Sequence, residues 1–262
     1  MRQIFVHLHI PKCGGSSVTD VLSRNFGQDL VTTNSILNDY QYDAAQVARI
    51  IDHHPRLKCL TGHKLSLDLP FDRSDLDIQA VTWVRDPVER FVSHYFYHRN
   101  HTDLVPETKF MDFNEYVEWA LKHENQKMYI DGQTKFLSGG SLESIRLMAT
   151  EGKLLLFPLS KLQQSLYSLG HRFPDAFMDV TIGNKNVSRK DMILPENSRR
   201  LVLPYVGEDM HLLELSRQTA VETESPCLQA RFSVNRFAPI RRYIVFKTAH
   251  VLRCAASFVE RR

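Results

Sequence analysis

The chain has 262 residues, of which 43% are hydrophobic, and its 33 basic and 30 acidic residues leave a formal charge of +3. A chain of this length and hydrophobic content buries a substantial core, so its fold does not depend on disulfide bonds. Four cysteines without CxxC spacing indicate reduced thiols in a cytoplasmic protein, with a disulfide as the alternative, and neither a signal peptide nor an apolar run of about 18 residues is evident.

The first element is an apolar run that leads directly into a glycine-rich turn. Residues 4–10, IFVHLHI, predict a buried strand, and residues 17–26 predict the helix that follows. Gly14 and Gly15 lie between them, where the lack of a side chain lets an anion approach the backbone. Lys12 adds a positive charge to the N–H groups that a helix start presents to phosphate or sulfate. The segment therefore predicts an anion-binding loop; an ordinary glycine turn beside a solvated lysine is the alternative.

The order of residues in this loop differs from that of the Walker loop of nucleotide hydrolases. The Walker pattern G-x-x-x-x-G-K-[ST] places its lysine after the glycines, whereas Lys12 precedes them. Ser16 and Ser17 follow the glycines, and their hydroxyls suit the N-cap of the helix. The loop thus argues against a nucleotide hydrolase.

A second strand-to-helix junction carries the more specific pattern. Residues 78–84, IQAVTWV, predict another buried strand, and the sequence RDPVERFVS follows. Pro87 suits the first turn of a helix, and Asp86 suits its N-cap. Because Ser93 lies nearly two turns into that helix, one ligand at its start can contact both this hydroxyl and the guanidinium of Arg85. The pair predicts a second phosphate site.

The predicted elements alternate along the chain, which is typical of an α/β protein. Strands are predicted at residues 4–10, 58–62, 78–84 and 153–157, and helices at 17–26, 43–53, 87–98, 113–123, 142–150, 160–169 and 208–222. The alternation predicts a three-layer fold with a central parallel sheet flanked by helices. Since such sheets bind ligands beyond the carboxyl ends of their strands, Lys12 and Arg85 fall where a ligand is expected.

The segments HIPKCGGSS and VRDPVERFVSHY together resemble the two donor-binding motifs of sulfotransferases, in the branch of heparan sulfate 2-O-like and other carbohydrate sulfotransferases. The resemblance implies a P-loop-like sulfotransferase fold. It also implies transfer of a sulfuryl group from 3'-phosphoadenosine 5'-phosphosulfate (PAPS) to a carbohydrate hydroxyl, with adenosine 3',5'-bisphosphate (PAP) as product. In that family the first motif binds the 5'-phosphosulfate, and the arginine and serine of the second bind the 3'-phosphate. The residues that match these motifs here are Lys12, Cys13, Gly14, Gly15, Ser16, Ser17, Arg85 and Ser93.

The resemblance to sulfotransferases extends to two further stretches. Residues 184–190, NKNVSRK, are similar to the late loop that closes over the 3'-phosphate, which implies a donor contact for Arg189 and Lys190; a solvated basic pair is the alternative. Gln133 and Lys135, in the run QTKFLSG, are expected either to contact a substrate or to lie on an exposed helix face.

Lys12 and His63 are the predicted catalytic residues. The ammonium of Lys12 is expected to stabilise negative charge on the departing 5'-phosphate. The base that takes the acceptor's proton must be chosen among 12 histidines. The segment TGHKLSL resembles the stretch that carries the catalytic histidine in the heparan 2-O branch, which implies His63. His94, His98 or Glu89 as the base, and a structural role for His63, are the alternatives.

The sequence gives less support to a metal-dependent function. His7 and His9 alternate along the first strand and point to one face, but no convincing set of four ligands accompanies them, so no metal is expected. A P-loop nucleotide kinase is one alternative function, and it would need a magnesium-binding carboxylate that no segment indicates. A non-catalytic nucleotide- or glycan-binding module is the other.

The last segment, residues 226–262, differs from the rest of the chain in charge. It contains eight Lys or Arg residues and one acid, so its formal charge is +7. We therefore divide the chain into a sulfotransferase domain, residues 1–225, and a basic helical extension. The extension is expected either to cover a groove of the domain or to lie on an anionic membrane. The expected partners are thus a carbohydrate or other hydroxyl acceptor and a membrane surface, with no nucleic acid.

Overall fold

Five strands form one parallel sheet at the centre of the protein. They are β1 (Arg2–Leu8), β2 (Leu30–Thr32), β3 (Cys59–Gly62), β4 (Leu76–Val84) and β5 (Leu154–Pro158). The order across the sheet is β2-β3-β1-β4-β5, and each neighbouring pair is parallel. A computed structural model describes this arrangement over residues 1–33, 41–101, 105–122, 128–182 and 197–223. The predicted parallel sheet is therefore confirmed.

Helices cover both faces of the sheet in the described part of the chain. They are α1 (Gly15–Phe26), α2 (Ala44–His53), α3 (Pro87–Asn100), α4 (Phe113–Lys122), α5 (Gly132–Ser138), α6 (Leu142–Thr150), α7 (Leu162–Arg172), α8 (Ser198–Val202) and α9 (Gly207–Thr223). Within this part, no helix is long and apolar enough to cross a membrane.

Side chains of β1 alternate between two hydrophobic cores. Ile4, Val6 and Leu8 pack on the face that α2, α6 and α9 cover, whereas Phe5 packs on the face that α1 and α7 cover. Parallel sheets are typically buried on both faces in this way. Each fully buried side chain of this size contributes about 1.5–3 kcal/mol to the stability of the fold. The three-layer arrangement follows directly from this two-sided burial.

Three short elements were not predicted, namely β2, α5 and the five-residue helix α8. The strand β2 has three residues, too few to show an alternating pattern, and it is identified only by its pairing with β3. The helix α5 has seven residues and begins at Gly132, so it shows little helical periodicity. In addition, β1 ends at Leu8 rather than at residue 10, because the chain leaves the sheet there to enter the loop before α1.

Part of the sequence-based interpretation falls outside the described residues. The described residues belong to the unit Met1–Glu224, so the division at residue 225 and the basic extension stay predictions. Cys227 and Cys254 lie in that extension. Cys13 and Cys59, which are described, are buried free thiols.

Candidate functional site

The loop between β1 and α1 is tightly packed against neighbouring side chains. Lys12 and Gly14 both adopt the left-handed backbone conformation, with φ of +67° and +76°. A Cβ added to Gly14 would lie 2.5 Å from Cδ1 of Leu159, and one added to Gly15 would lie 1.6 Å from Nε2 of His9. Packing inside the protein therefore requires both glycines, a reason different from the predicted admission of an anion.

The start of α1 presents backbone N–H groups rather than a side-chain cap. Its N-cap residue is Gly14, which makes no side-chain capping bond. The prediction that Ser16 and Ser17 cap this helix is wrong, because both already lie in its first turn. The carbonyl of Gly14 accepts from the N–H groups of Ser17 and Val18. In the described part of the chain this leaves the N–H groups of Gly15 and Ser16 for an anion.

Lys12 combines a strained backbone with a desolvated ammonium group. A left-handed conformation costs about 1–2 kcal/mol for a residue with a Cβ. The Nζ of Lys12 lies 4.1 Å from the centroid of the Tyr97 ring on α3, in a cation–π contact. Burial, and next the charge of Arg85, lowers the pKa of Lys12 to about 8. Because a poorly hydrated cation attracts an anion more strongly than a hydrated one, Lys12 is suited to stabilise charge on a ligand.

The second predicted anion site adjoins the first. Arg85 follows the last residue of β4, and its Nη1 lies 3.5 Å from the carbonyl oxygen of Lys12, although the two residues are 73 positions apart. Its Nε lies 3.4 Å from Oε2 of Glu89. Asp86 caps α3 as predicted, because it accepts from the N–H groups of Val88 and Glu89 at 3.0 and 3.1 Å. The two motifs therefore form one continuous site.

Arg90 is a buried cation of this site that the sequence analysis did not single out. It is 3% exposed. Its Nε donates to the carbonyl of Pro11 at 3.1 Å, and its Nη2 donates to the carbonyl of Met128 at 2.9 Å. Arg90 lies one helical turn before Ser93, which is 5% exposed, so the helical periodicity of the motif is the signal that could have identified it. Arg90 holds the first loop against α3 and adds positive charge beneath it.

A hydrogen bond fixes the tautomer of His63. Its Nδ1 lies 2.7 Å from the carbonyl oxygen of His9, and because a carbonyl only accepts, Nδ1 must carry the proton. The Nε2 of the neutral ring then keeps its lone pair, as a general base requires. Partial burial lowers the pKa of His63, and the bond to His9 opposes this shift. The ring is therefore neutral at pH 7.

The alternative bases are less suited to proton transfer. His94 and His98 are 3% and 9% exposed. Burial, and next the charge of Arg90, keeps the pKa of His94 well below its usual value. Glu89 is engaged in the ion pair described above. His63 is exposed, so the geometry favours it over the other three.

His7 and His9 pack beneath His63. The Nδ1 of His7 lies 2.8 Å from Oγ1 of Thr61, and the rings of His7 and His9 are stacked with centroids 5.3 Å apart. Burial, and next the neighbouring histidines, lowers the pKa of both, that of His9 to about 3. Among the residues that the structure describes, no group of three or more His, Cys, Asp or Glu side chains is placed to hold a metal ion. The pair forms a neutral support for His63.

Comparison with known proteins identifies the family. The model of the sulfotransferase family matches residues 2–138, just over half of the chain. The chain belongs to the sulfotransferase family. An uncharacterized protein from Archaeoglobus fulgidus is 23% identical over 238 residues, which are 84% of this chain and 94% of that protein. The crystal structure of a sulfotransferase from Alicyclobacillus acidocaldarius matches this chain with 15% sequence identity and a TM-score of 0.47. The match covers 83% of this chain and 96% of that one.

The family assignment gives the class of reaction, the transfer of a sulfuryl group. It removes the nucleotide kinase alternative. The matched segment includes Lys12, His63, Arg85 and Ser93, so the two sequence motifs and the candidate base all lie within the part that resembles other sulfotransferases. The carbohydrate 2-O branch of the family stays a prediction.

Gln133 connects the two motifs of this sulfotransferase from inside. The expectation of an exposed helix face is wrong, because Gln133 is 0% exposed. Its Oε1 accepts from the backbone N–H of Arg85 at 2.9 Å and from the thiol of Cys13 at 3.1 Å. Burial raises the pKa of Cys13 to about 11, although Arg90 and Arg85 oppose this shift. The thiol therefore keeps its proton and holds the loop, and only the backbone of Cys13 is available for a ligand.

Arg189 and Lys190 lie outside the described residues. Their contact with the 3'-phosphate stays a prediction. The remaining predicted donor-binding residues all lie on the first loop, in the first turn of α1, directly after β4 or on α3.

Proposed function

We propose that this sulfotransferase uses PAPS as its donor and transfers the sulfuryl group to a hydroxyl of a carbohydrate. The observation that carries the proposal is the contact between the two motifs, in which Nη1 of Arg85 lies 3.5 Å from the carbonyl oxygen of Lys12. Cations from both motifs are therefore close enough for one nucleotide to contact them with two different phosphates. The extra 3'-phosphate is what distinguishes PAPS and PAP from other adenine nucleotides.

The residues at the site fit a ligand with two anionic groups. The N–H groups of Gly15 and Ser16, together with the ammonium of Lys12, suit the 5'-phosphosulfate. The guanidinium of Arg85 suits the 3'-phosphate, because it can donate two parallel hydrogen bonds to phosphate oxygens. Ser93, nearly two turns into α3, supplies a hydroxyl for the same group. These are the roles that the resemblance implies for the three side chains and the loop.

PAPS supplies the activated sulfuryl group when it is bound. Negative charge grows on the 5'-phosphate as its bond to sulfur breaks, and Lys12 stabilises this charge more strongly in the transition state than in the ground state. His63 accepts the proton of the acceptor hydroxyl at Nε2. The carbonyl of His9 keeps Nε2 available, since it holds the ring proton on Nδ1.

The donor is tested by calorimetric titration with PAP and with AMP, which lacks the 3'-phosphate. We expect PAP to bind about 10- to 100-fold more tightly, the effect of one or two hydrogen bonds between charged groups. Equal affinities for the two nucleotides would contradict the donor assignment.

The acceptor is tested by incubating the enzyme with labelled PAPS and a panel of hydroxyl compounds. The carbohydrate class follows from the resemblance to the carbohydrate branch, so we expect label on oligosaccharides and not on phenols or simple alcohols. Transfer to a phenol alone would contradict the carbohydrate assignment and place the enzyme in another branch of the sulfotransferase family. PAP binding without transfer to any acceptor would favour the non-catalytic binding module.

A further inference from the structure

Gln133 pairs with both main-chain groups of Arg85. Its Oε1 accepts from the Arg85 N–H at 2.9 Å, and its Nε2 donates to the Arg85 carbonyl at 2.9 Å. The pairing of β4 with β5 ends at Val84, opposite Pro158, so Arg85 has already left that ladder. The amide of Gln133 therefore supplies the hydrogen bonds that a neighbouring strand would otherwise have made.

The chemistry of the neighbours fixes the orientation of this amide. The N–H of Arg85 only donates and its carbonyl only accepts, so a flipped amide would lose both bonds. The thiol of Cys13 donates to the same Oε1 at 3.1 Å. One amide oxygen thus connects the first anion-binding segment, at Cys13, with the second, at Arg85.

Asp209 on α9 holds Gln133 from the other side. Its carboxylate accepts from the N–H of Gln133 at 3.0 and 3.1 Å and from the N–H and hydroxyl of Thr134 at 2.8 and 3.0 Å. Its own N–H donates to the carboxylate of Asp131 at 3.1 Å. Asp209, Gln133 and Thr134 are each 0% exposed. A buried carboxylate needs hydrogen-bond donors, and those of Asp209 come from the start of α5. These bonds therefore join α5 to α9.

We propose that Gln133 is a positioning residue that fixes the distance between the two anion-binding segments, and that Asp209 fixes Gln133. The inference rests on the proposed function, since it assumes one donor that contacts both segments. Without the amide, the backbone of Arg85 loses two hydrogen bonds and its guanidinium is no longer held relative to Lys12. A displacement of about 1 Å is enough to weaken both binding and turnover.

A ligand that spans both segments should be affected more than a ligand that contacts one. PAP carries both phosphates, whereas AMP lacks the 3'-phosphate. The variant Gln133→Met keeps the length of the side chain and removes its hydrogen bonds. We expect its preference for PAP over AMP, measured by calorimetry, to fall about tenfold, the effect of losing one hydrogen bond between the displaced Arg85 guanidinium and the 3'-phosphate.

Gln79 provides a matched control. It is a glutamine on β4, 7% exposed, whose Nε2 donates to the carbonyls of Gly152 and Lys153 at 3.1 Å each. It lies six residues before Arg85 along a strand, a distance of about 20 Å. The variant Gln79→Met should lower the melting temperature, as Gln133→Met does, and should leave the preference for PAP unchanged.

The outcomes separate this inference from the donor assignment. A fall in the PAP preference for Gln133→Met but not for Gln79→Met supports the positioning role. If the wild-type enzyme prefers PAP and Gln133→Met retains the full preference while both variants lose stability, the positioning role is overturned and the donor assignment stands. If the wild-type enzyme itself shows no preference, the donor assignment fails and this inference fails with it.

A second variant covers the case in which Gln133→Met does not fold. Asp209→Asn keeps the shape of the side chain and removes the charge that holds the N–H groups of Gln133 and Thr134. We expect a smaller fall in the PAP preference, in the same direction. A folded Asp209→Asn protein with the wild-type preference for PAP would overturn the part of the inference that concerns Asp209. If Gln133→Met does not fold, the same result would also overturn the positioning role of Gln133.

Discussion

The imidazole of His63 lies against that of His9, with ring centroids 3.9 Å apart and the rings tilted by 33°, and donates its Nδ1 proton to the His9 carbonyl at 2.7 Å. This bond leaves Nε2 as the basic nitrogen of the neutral ring. The imidazole of His9 also lies against Gly15 at the start of α1. The proposed base and the proposed anion-binding loop therefore share His9 as a common support.

The variant His63→Ala should lose transfer and keep donor binding. A general base contributes about 10²- to 10⁴-fold to a rate, so we expect transfer from labelled PAPS to fall by that factor while the calorimetric affinity for PAP is unchanged. The control is His53→Ala: the Nδ1 of His53 also lies 2.7 Å from a backbone carbonyl, that of Arg49. His53 ends α2, near the start of β1, where the guanidinium of Arg2 donates to the carbonyl of Ile51. Because the site lies at the other end of β1, His53→Ala should retain transfer. Full activity of His63→Ala would remove the assignment.

Replacement of Lys12 should separate the role of its charge from that of its backbone. Both Lys12→Ala and Lys12→Gly remove the ammonium, so both should reduce turnover by about 10²-fold or more, with PAP binding still measurable. The left-handed backbone at Lys12 favours glycine, so Lys12→Gly should be more stable than Lys12→Ala by about 1 kcal/mol in urea unfolding. Equal stability of the two variants would contradict the inference that the backbone at Lys12 is strained. Lys58→Ala, which removes an exposed lysine at the start of β3, should retain turnover.

A double-mutant cycle should reveal the contact between Gly15 and His9. The variant Gly15→Ala places a methyl group 1.6 Å from Nε2 of His9, and such overpacking destabilises a protein by about 1–3 kcal/mol. In a His9→Ala background the same change should be neutral or stabilising, because alanine is otherwise favoured within a helix. Gly207→Ala, at a helix start where an added Cβ meets open space, should be tolerated. Additive effects of Gly15→Ala and His9→Ala would refute the contact.

The buried histidines should make stability depend on pH. Burial and the neighbouring His63 lower the pKa of His9 to about 3, well below the value of about 6.5 in the unfolded chain. The unfolded state therefore binds more protons between these two values. As pH falls from about 6 to 4, His9 alone should remove about 1.4 kcal/mol of unfolding free energy per pH unit. His7 and His94, whose pKa values burial also lowers, act in the same direction.

The measurement is urea unfolding over this pH range for the wild type and for His9→Phe, which cannot titrate. The variant should show a shallower loss of stability on acidification. His211→Phe, a change at an exposed position of α9, should keep the wild-type slope. An unchanged slope in His9→Phe would mean that His9 is not held neutral in the folded protein.

Much of the site could be identified from local sequence. The change from an apolar run to PKCGGSS, and from IQAVTWV to RDPVERF, marks two strand ends and two helix starts within about ten residues each. Asp86 and Pro87 specify the start of α3, and the structure confirms this cap. The serines of the first loop were assigned wrongly as caps, since α1 begins at Gly15, with Gly14 as its N-cap, and both serines lie inside its first turn.

By itself, then, the sequence determined the parallel α/β architecture, and it placed the two segments that we propose to bind anions at the carboxyl ends of β1 and β4, because strand and helix signals arise between residues close in the chain. Only the tertiary structure decided which side chains support that site. Gln133, 120 residues from Cys13, and Arg90, 79 residues from Pro11, act through hydrogen bonds across the fold. The helical periodicity of the second motif could have identified Arg90, but its partners, and those of Gln133, depend on how distant segments pack, which no local pattern encodes.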